Sequence, residues 1–215
     1  MRIALPSGTS AELVRPTGRP TRGLVLWPDI MGLRPLFDDL AQRLADEHGW
    51  VVCEPEIFPG QESLALEDRF GEVPGVDEQA RIADAVAAAD ACGVEPVAVA
   101  GFCMGGMYAL KCAATGRFDR AVGFYGMVRL PEGWDGPAQT DAIEFVRQAA
   151  VPVLGVFGTD DPYCPTPHLD ELEAAGATVL RYEGAEHGFI HDPSRPTHRA
   201  DYAADAWSRF ATFLA

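Results

Sequence analysis

The chain has 215 residues, of which 47% are hydrophobic and 23% are charged. This composition is typical of a globular protein and excludes general disorder, because there are enough apolar side chains to form a core. No apolar run approaches the roughly 20 residues that cross a bilayer. The 17 Lys and Arg against 32 Asp and Glu give a net charge of −15, which disfavours nucleic acids and anionic membrane surfaces as partners.

Apolar strands alternate with helical patterns along most of the chain. Residues 3–14 predict two strands joined by a turn at Pro6–Gly8, and buried strands are predicted at 23–27, 50–53, 96–100, 121–125, 151–157 and 178–182. Apolar residues at helical spacing predict a helix from Leu36 that ends at Gly49 and another from Ile82 that ends at Gly93. Further helices are predicted at 104–114, 138–150 and 169–175. A final helix is predicted with Ala203, Trp207, Phe210 and Leu214 in the core. Residues 54–76 predict a long loop of the kind that often rims a pocket.

Strands that alternate with helices predict one α/β domain over residues 1–215, with a mostly parallel sheet and helices on both faces. In such a sheet, ligands bind at the carboxyl ends of the strands. The functional residues are therefore expected directly after the predicted strands, in the loops that follow Trp27, Cys53, Ala100, Phe157 and Tyr182.

The cysteines and the N-terminus indicate a compartment. The five cysteines are odd in number and include no C-x-x-C pair, which argues against a disulfide framework or a redox dithiol. Residues 1–6 lack the apolar core of a signal peptide. We therefore expect a cytoplasmic protein.

A nucleophile motif follows the strand that ends at Ala100. Gly101-Phe102-Cys103-Met104-Gly105 is a G-x-C-x-G elbow, with Cys where hydrolases more often carry Ser. Flanking glycines relieve crowding in such a strained turn, and the start of a helix favours a thiolate. The backbone N–H of Met104 points to the same space and can serve as an oxyanion donor. The alternative is a glycine-rich turn in which Cys103 is only packed.

Two further strand ends carry an acid and a histidine. Asp160 and Asp161 follow the strand that ends at Phe157, and His187 follows the strand that ends at Tyr182. The order nucleophile, acid, histidine is that of α/β-hydrolases, in which the histidine moves the proton and the acid orients it. Each residue alone has a common structural explanation, because an Asp in a turn usually caps it and a loop His is usually solvated.

Together, Gly-Phe-Cys-Met-Gly-Gly, Asp-Pro-Tyr-Cys-Pro and Glu-His-Gly-Phe resemble the dienelactone hydrolase family of α/β-hydrolases, over nearly the whole chain. In that family the acid is the Asp that begins the Asp-Pro turn, which selects Asp161. The resemblance therefore implies a triad of Cys103, Asp161 and His187, and hydrolysis of an ester or lactone through an acyl-enzyme.

Residues 27–33, Trp-Pro-Asp-Ile-Met-Gly-Leu, are similar to the first oxyanion loop of that family. The residue that matches Ile30 supplies the second backbone N–H there. The residue before it is commonly a Glu that holds the resting thiol. Here it is Asp29, one methylene shorter, which the resemblance makes a candidate partner of the Cys103 thiol. The alternative is an Asp that caps the following turn.

Family members that act on the dianionic dienelactone bind it with two arginines. The matching positions here are Gly60 and His191, so we expect a substrate pocket that includes these two residues and lacks both arginines. Arg69, Arg195 and Arg199 are candidate substitutes, and their alternative is a solvated surface position. A neutral or differently shaped ester or lactone is therefore as reasonable a substrate as a dianion.

The remaining residues of interest have structural explanations. His187 and His191 are four apart, as in a helical metal site, but Gly188 and Pro193 argue against a helix there, so no metal and no cofactor are expected. Trp134, in a Pro/Gly-rich loop, is expected to be exposed. The other four cysteines are expected to pack in the core: Cys53, Cys92, Cys112 and Cys164.

The leading interpretation is a monomeric hydrolase whose partner is a small ester or lactone. One alternative is a catalytically idle α/β-hydrolase fold that binds a small molecule or a partner. Another is a thiol-based redox role, against which the missing C-x-x-C pair argues.

Overall fold

The buried apolar runs of the sequence form neighbouring strands of one eight-stranded sheet, in a computed structural model that describes all 215 residues. The sheet order is β1-β2-β4-β3-β5-β6-β7-β8. The β1–β2 and β2–β4 pairs are antiparallel, and all other pairs are parallel. The strands are β1 (Arg2–Ala4), β2 (Ser10–Val14), β3 (Arg22–Trp27), β4 (Trp50–Pro55), β5 (Val97–Phe102), β6 (Ala121–Phe124), β7 (Val153–Gly158) and β8 (Thr178–Tyr182).

Helices cover both faces of this sheet. Phe124 of β6 packs against Trp207 of the last helix, whereas a Cβ on its neighbour Gly123 would meet Leu110 of α4. Successive strand residues point to opposite faces, so these two helices lie on opposite sides. The helices are α1 (Pro35–His48), α2 (Leu66–Glu72), α3 (Glu78–Cys92), α4 (Met104–Cys112), α5 (Ala142–Val146), α6 (Thr166–Ala174) and α7 (Ala200–Leu214), with a 3-10 turn at Val73–Gly75.

The predicted α/β class, with a mostly parallel sheet and helices on both faces, is confirmed. β3 to β7 are buried along their whole length, which is why their sequences are continuous apolar runs rather than alternating patterns. α1 and α3 end at the predicted glycines, Gly49 and Gly93, both in the left-handed conformation. No helix combines the length and the apolar character that a membrane crossing requires.

Three local predictions were wrong. The stretch 54–76 contains α2 and the 3-10 turn rather than a loop alone. The helix predicted over 138–150 is reduced to the five residues of α5, because Gln139 and Thr140 instead hydrogen bond to Val76 and Glu78 at the start of α3. Trp134 is buried rather than exposed, and its ring lies 6.1 Å from that of Phe70 in α2.

Candidate active site

Cys103 lies in the turn between β5 and α4, at the carboxyl edge of the sheet. Its backbone has φ 55° and ψ −121°, a region that residues with a side chain rarely adopt and that marks functional strain. A hydrogen bond of 3.0 Å from the Cys103 N–H to the carbonyl of Phe124 holds the turn against β6. The turn leaves the side chain partly exposed, unlike those of the other four cysteines.

The two glycines of the elbow are required by space. A Cβ on Gly101 would stand 2.2 Å from the carbonyl oxygen of Gly105, and a Cβ on Gly105 would stand 2.1 Å from that of Pro28. Neither neighbour can move away, because both contacts are with backbone. The G-x-C-x-G pattern is therefore the sequence that lets α4 leave β5 this sharply and pass close to the loop after β3.

Asp161 and His187 are brought together by the loops after β7 and β8. These loops are joined by a hydrogen bond from the Asp160 N–H to the carbonyl of Ala185, at 3.0 Å. Beside it, Oδ2 of the fully buried Asp161 side chain lies 2.7 Å from Nδ1 of His187. The other oxygen, Oδ1, accepts the N–H of Tyr163 at 2.9 Å, which fixes the carboxylate. Asp160 is exposed and makes no contact with the histidine.

The environment of His187 favours the protonated ring. Burial alone would lower its pKa, but the neighbouring Cys103 and Asp161 side chains outweigh burial and raise the pKa to about 10. The second ring nitrogen, Nε2, is buried and has no hydrogen-bond partner. A buried polar atom without a partner is uncommon in folded proteins and often marks a catalytic position.

Two backbone N–H groups are free at the edge where Cys103 lies. Met104 is the first residue of α4, so its N–H has no intrahelical acceptor. Ile30, in the loop after β3, has an N–H that no acceptor contacts. Ile30 and Cys103 line the same cavity. An oxyanion requires two free N–H donors of this kind.

Arg69, which the sequence offered only as a substitute substrate-binding arginine, and Glu56, which it did not single out, hold the Ile30 loop. The guanidinium of Arg69, buried in α2, donates to the carbonyl of Ile30 at 3.1 Å. The buried carboxylate of Glu56 accepts the N–H groups of Leu33 and Phe58, both at 2.9 Å, and so joins the loop after β3 to the loop after β4. Neither residue belongs to a recognisable motif, which is why the sequence gives no signal for this role of theirs.

Asp29 is fully buried and makes four sets of contacts, none of them with Cys103. Its oxygens accept two hydrogen bonds from Arg34, at 2.7 and 2.8 Å, and one from the N–H of Met31, at 2.9 Å. Nε2 of His191 lies at 2.9 Å and the guanidinium of Arg195 at 3.2 Å. The structure thus differs from the expected thiol contact, because Arg34, His191 and Arg195 engage the carboxylate instead. The bond to Met31 is the turn cap of the alternative interpretation.

Burial would raise the pKa of Asp29, but the hydrogen bonds from His191 and Arg34 and the charge of Arg34 hold it well below its usual range. Asp29 is therefore a carboxylate at neutral pH. Desolvating a charge costs several kcal/mol unless it is paired with good geometry, and the two-pronged contact with Arg34 is the strongest form of such pairing.

A cavity of about 430 Å³ joins these groups. Its wall includes Asp29, Ile30, Cys103 and His187, and the remainder is mostly apolar. The residues that complete it are Met31, Leu66, Phe70, Met127, Trp134, Tyr163, Arg195, Pro196 and Thr197.

Comparison with known proteins agrees with this fold. The sequence model described as "Dienelactone hydrolase family" matches residues 9–215. The chain belongs to the dienelactone hydrolase family. A carboxymethylenebutenolidase of Rhodococcus opacus is 30% identical, over 89% of this chain and 79% of its own. A probable 2-oxo-3-(5-oxofuran-2-ylidene)propanoate lactonase of Bradyrhizobium is 29% identical, over 95% of this chain and 88% of its own.

Among solved structures, a putative dienelactone hydrolase from Klebsiella pneumoniae superposes with a TM-score of 0.86, at 24% identity, over 99% of this chain and 96% of that one. This likeness establishes the shared fold. Membership of the dienelactone hydrolase family makes this protein a hydrolase of lactones or esters.

The two positions expected in the substrate pocket of this enzyme do not line the cavity. Gly60 is exposed, and its N–H donates to Glu62 in its own loop. His191 is buried behind Asp29, and its Nδ1 accepts a short hydrogen bond from the hydroxyl of Tyr125. Burial lowers the pKa of His191 and raises that of Tyr125, so a neutral imidazole links the Tyr125 hydroxyl to the Asp29 carboxylate.

The three candidate substitute arginines have different positions. Arg69 is committed to backbone carbonyls, and Arg199 donates to the carbonyl of Gly184 and lies over the ring of Tyr202. Only Arg195 of the three reaches the cavity. Its guanidinium is engaged by Asp29 and, at 3.6 Å, by Asp192.

We predict that native protein reacts with iodoacetamide at one cysteine, Cys103. Burial raises the pKa of Cys92 to about 11 and of Cys112 to about 12, and raises those of Cys53 and Cys164 far above their usual range. A thiol reacts as its thiolate, so these four are protected twice, by burial and by protonation. Intact mass should show one added group before denaturation and five after it, and peptide mapping should place the first at residue 103. Labelling of Cys164 first would contradict this prediction.

Replacing Asp29 by Asn should destabilise the fold by about 3 kcal/mol, the low end for breaking a buried ion pair, because Arg34 and Arg195 can still reach water. Urea unfolding followed by circular dichroism measures the change. The matched control is Asp192→Asn, which removes a partly exposed carboxylate from the same Arg195 and should cost less than about 1 kcal/mol. Equal losses in the two variants would show that Asp29 has no special structural weight.

Proposed function

We propose that this enzyme cleaves its ester or lactone by nucleophilic attack from Cys103, with His187 as acid and base and Asp161 as the group that orients it. The observation that carries the proposal is the 2.7 Å contact between Asp161 and Nδ1 of His187, whose free Nε2 lies at the cavity that Cys103 also lines. Nucleophile, base and orienting acid in this arrangement are the requirement for acyl transfer through a covalent intermediate.

When the substrate is attacked, the proton of the Cys103–His187 pair is on His187, and the sulfur reacts as its thiolate. Support comes from the raised pKa of His187, to which the charge of Cys103 contributes. The position of Cys103 at the start of α4 adds the helix dipole in favour of the anion. Asp29 lines the same cavity, and the positive charges of Arg34 and Arg195 offset its negative charge there.

In the first half-reaction the Cys103 sulfur attacks the carbonyl carbon, and the carbonyl oxygen becomes an oxyanion held by the N–H groups of Ile30 and Met104. The C–O bond to the leaving alkoxide then breaks, and Nε2 of His187 delivers its proton to that oxygen. A lactone gives one product with a free hydroxyl that stays attached through the thioester. An acyclic ester releases an alcohol.

In the second half-reaction His187 acts as a base. Once Cys103 is acylated its negative charge is gone, and with it one cause that keeps the histidine protonated. The neutral ring then takes a proton from water as the water oxygen attacks the thioester carbonyl. The C–S bond breaks, the acid product leaves, and the thiolate and imidazolium are restored.

The related proteins support a carbonyl substrate of this kind, since their names describe a carboxymethylenebutenolidase and a lactonase. We further propose that the enzyme works in the cytoplasm as a monomer without a metal or cofactor. The five free thiols fit a reducing compartment.

The proposal is tested with p-nitrophenyl acetate and a five-membered lactone. We expect Cys103→Ala to reduce kcat/KM at least 1,000-fold for both, since the variant keeps the oxyanion donors but has no nucleophile. Cys103→Ser should also fall steeply, because an alcohol needs a stronger base than a thiol. Cys112→Ser, the same change at the far end of the helix that Cys103 precedes and away from the cavity, is the control. Undiminished turnover by Cys103→Ala would overturn the proposal.

The pH profile tests the role of His187 separately. The value of kcat/KM reports the free enzyme, in which the leaving group needs the proton of the imidazolium. We therefore expect kcat/KM to be level through neutral pH and to fall with an alkaline limb near pH 10, the raised pKa of His187. Rates with Cys103→Ala serve as the blank for hydroxide-catalysed hydrolysis. A rise through about pH 6.5, the ordinary histidine value, without a fall near pH 10 would mean that His187 is neutral in the resting enzyme.

A further inference from the structure

We propose that this site is specific for an uncharged ester or lactone with an apolar and preferably aromatic substituent, which lies in a cleft formed by Leu66, Phe70, Trp134 and Tyr163, here called the apolar cleft. The inference rests on the proposed function, because it assigns the substrate class of the same cavity.

Exposed apolar side chains are concentrated at this cavity. The chain exposes four large hydrophobic side chains, and three of them, Leu66, Phe70 and Tyr163, are in the cavity wall, where they are 37%, 38% and 42% exposed. The fourth is Met1. A cluster of exposed apolar side chains around a concave site indicates an apolar ligand, because each gains by leaving water when that ligand binds.

The cavity has room for a ring beside the aromatic members of the apolar cleft, which are in contact with one another or with His187. The centroids of Phe70 and Trp134 are 6.1 Å apart with their planes at 46°, and Tyr163 lies edge-on to His187 at 5.0 Å. A cavity of roughly 150 Å³ holds a benzene molecule, and this one has about 430 Å³. It can therefore hold an aromatic ring together with the ester group that must reach Cys103.

No cation is free to bind a substrate carboxylate. Arg195 is the only Lys or Arg in the cavity wall, and it is shared by Asp29 and Asp192. Arg34 makes a two-pronged contact with Asp29. Two guanidiniums thus face two carboxylates, and His191 between them is neutral. A carboxylate on the substrate would have to share Arg195 with Asp29 and Asp192, in a chain whose net charge is −15.

The same short helix connects this specificity to the chemistry. Leu66 and Phe70 are four residues apart and therefore lie on one side of α2. Between them, Arg69 points inward and holds the carbonyl of Ile30, whose N–H is the proposed oxyanion donor. A substituent seated on Leu66 and Phe70 is thus held at a fixed distance from the oxyanion site.

The test uses p-nitrophenyl hexanoate and mono-p-nitrophenyl adipate, which have the same leaving group and acyl length and differ by a terminal carboxylate. p-Nitrophenyl 3-phenylpropanoate adds the aromatic case. After correction for the rate of each ester with hydroxide, we expect kcat/KM for both neutral esters to exceed that for the adipate at least tenfold. Calorimetric binding of the same esters to Cys103→Ala should follow the same order, so the readout does not depend on turnover.

Substitutions of Phe70 test whether the preference for neutral esters depends on the apolar cleft. Phe70→Arg places a cation in the apolar cleft and should reduce the ratio of neutral to charged ester at least tenfold, whereas Phe70→Leu should keep the ratio. Phe213→Leu, in α7 and outside the cavity, is the matched control and should leave all three rates unchanged. Labelling of Cys103 by iodoacetamide at the wild-type rate shows that each variant is folded.

The outcomes separate the two proposals. If wild-type turnover depends on Cys103 but the adipate is preferred, or if Phe70→Arg leaves the ratio unchanged, the apolar specificity is wrong and the mechanism stands. If no ester is cleaved in a Cys103-dependent way, the mechanism is wrong, and the order of binding to Cys103→Ala still decides the specificity.

Discussion

The buried carboxylate of Asp29 is the interaction on which the geometry of this site depends. Through Met31 and Arg34 it shapes the loop after β3, and through His191 and Arg195 it holds the loop after β8. An unpaired charge in this position would cost several kcal/mol. The two loops are therefore stable only in a conformation in which their side chains pair with the Asp29 carboxylate. The folding of two sequence-distant segments is thereby coupled to the position of one side chain.

This coupling explains how a rigid sheet and flexible loops give one precise site. The turn at Cys103 is set by backbone contacts within the sheet and its helix, with almost no freedom. His187 and Ile30 lie in loops, which are ordinarily more mobile. The side chain of Asp161 holds His187. The carbonyl of Ile30 accepts a hydrogen bond from Arg69, and the turn that contains Ile30 is closed by the hydrogen bond from the Met31 N–H to Asp29. Each of these two loop residues therefore has at least one buried ionic side chain close to it.

The sequence predicted what depends on local patterns. Buried strands, the elbow at Cys103 and the order of Cys103, Asp161 and His187 are all written in short segments, and the structure brings these three residues to one edge of the sheet. What it could not predict depends on contacts between distant segments. Trp134 is buried only because α2 covers it, and α2 itself is a short polar helix with Arg69 turned inward, a pattern that resembles a loop. The contacts of Asp29 require knowledge of where His191 folds.

The position of His191 also bears on specificity, because it changes how charge is distributed behind the cavity. An arginine there would bring a permanent positive charge next to Asp29, and with Arg34 and Arg195 it would leave one cation in excess. A buried neutral imidazole leaves the cluster balanced, and its link to the Tyr125 hydroxyl stabilises that neutral form. A histidine in place of an arginine at position 191 and apolar side chains around the cavity then both favour an uncharged substrate. The charges around the cavity do not stabilise a carboxylate on the substrate, whereas Phe70 and Trp134 provide apolar surface that a substrate ring can contact. Selection between substrates in this site therefore depends on desolvation more than on charge pairing.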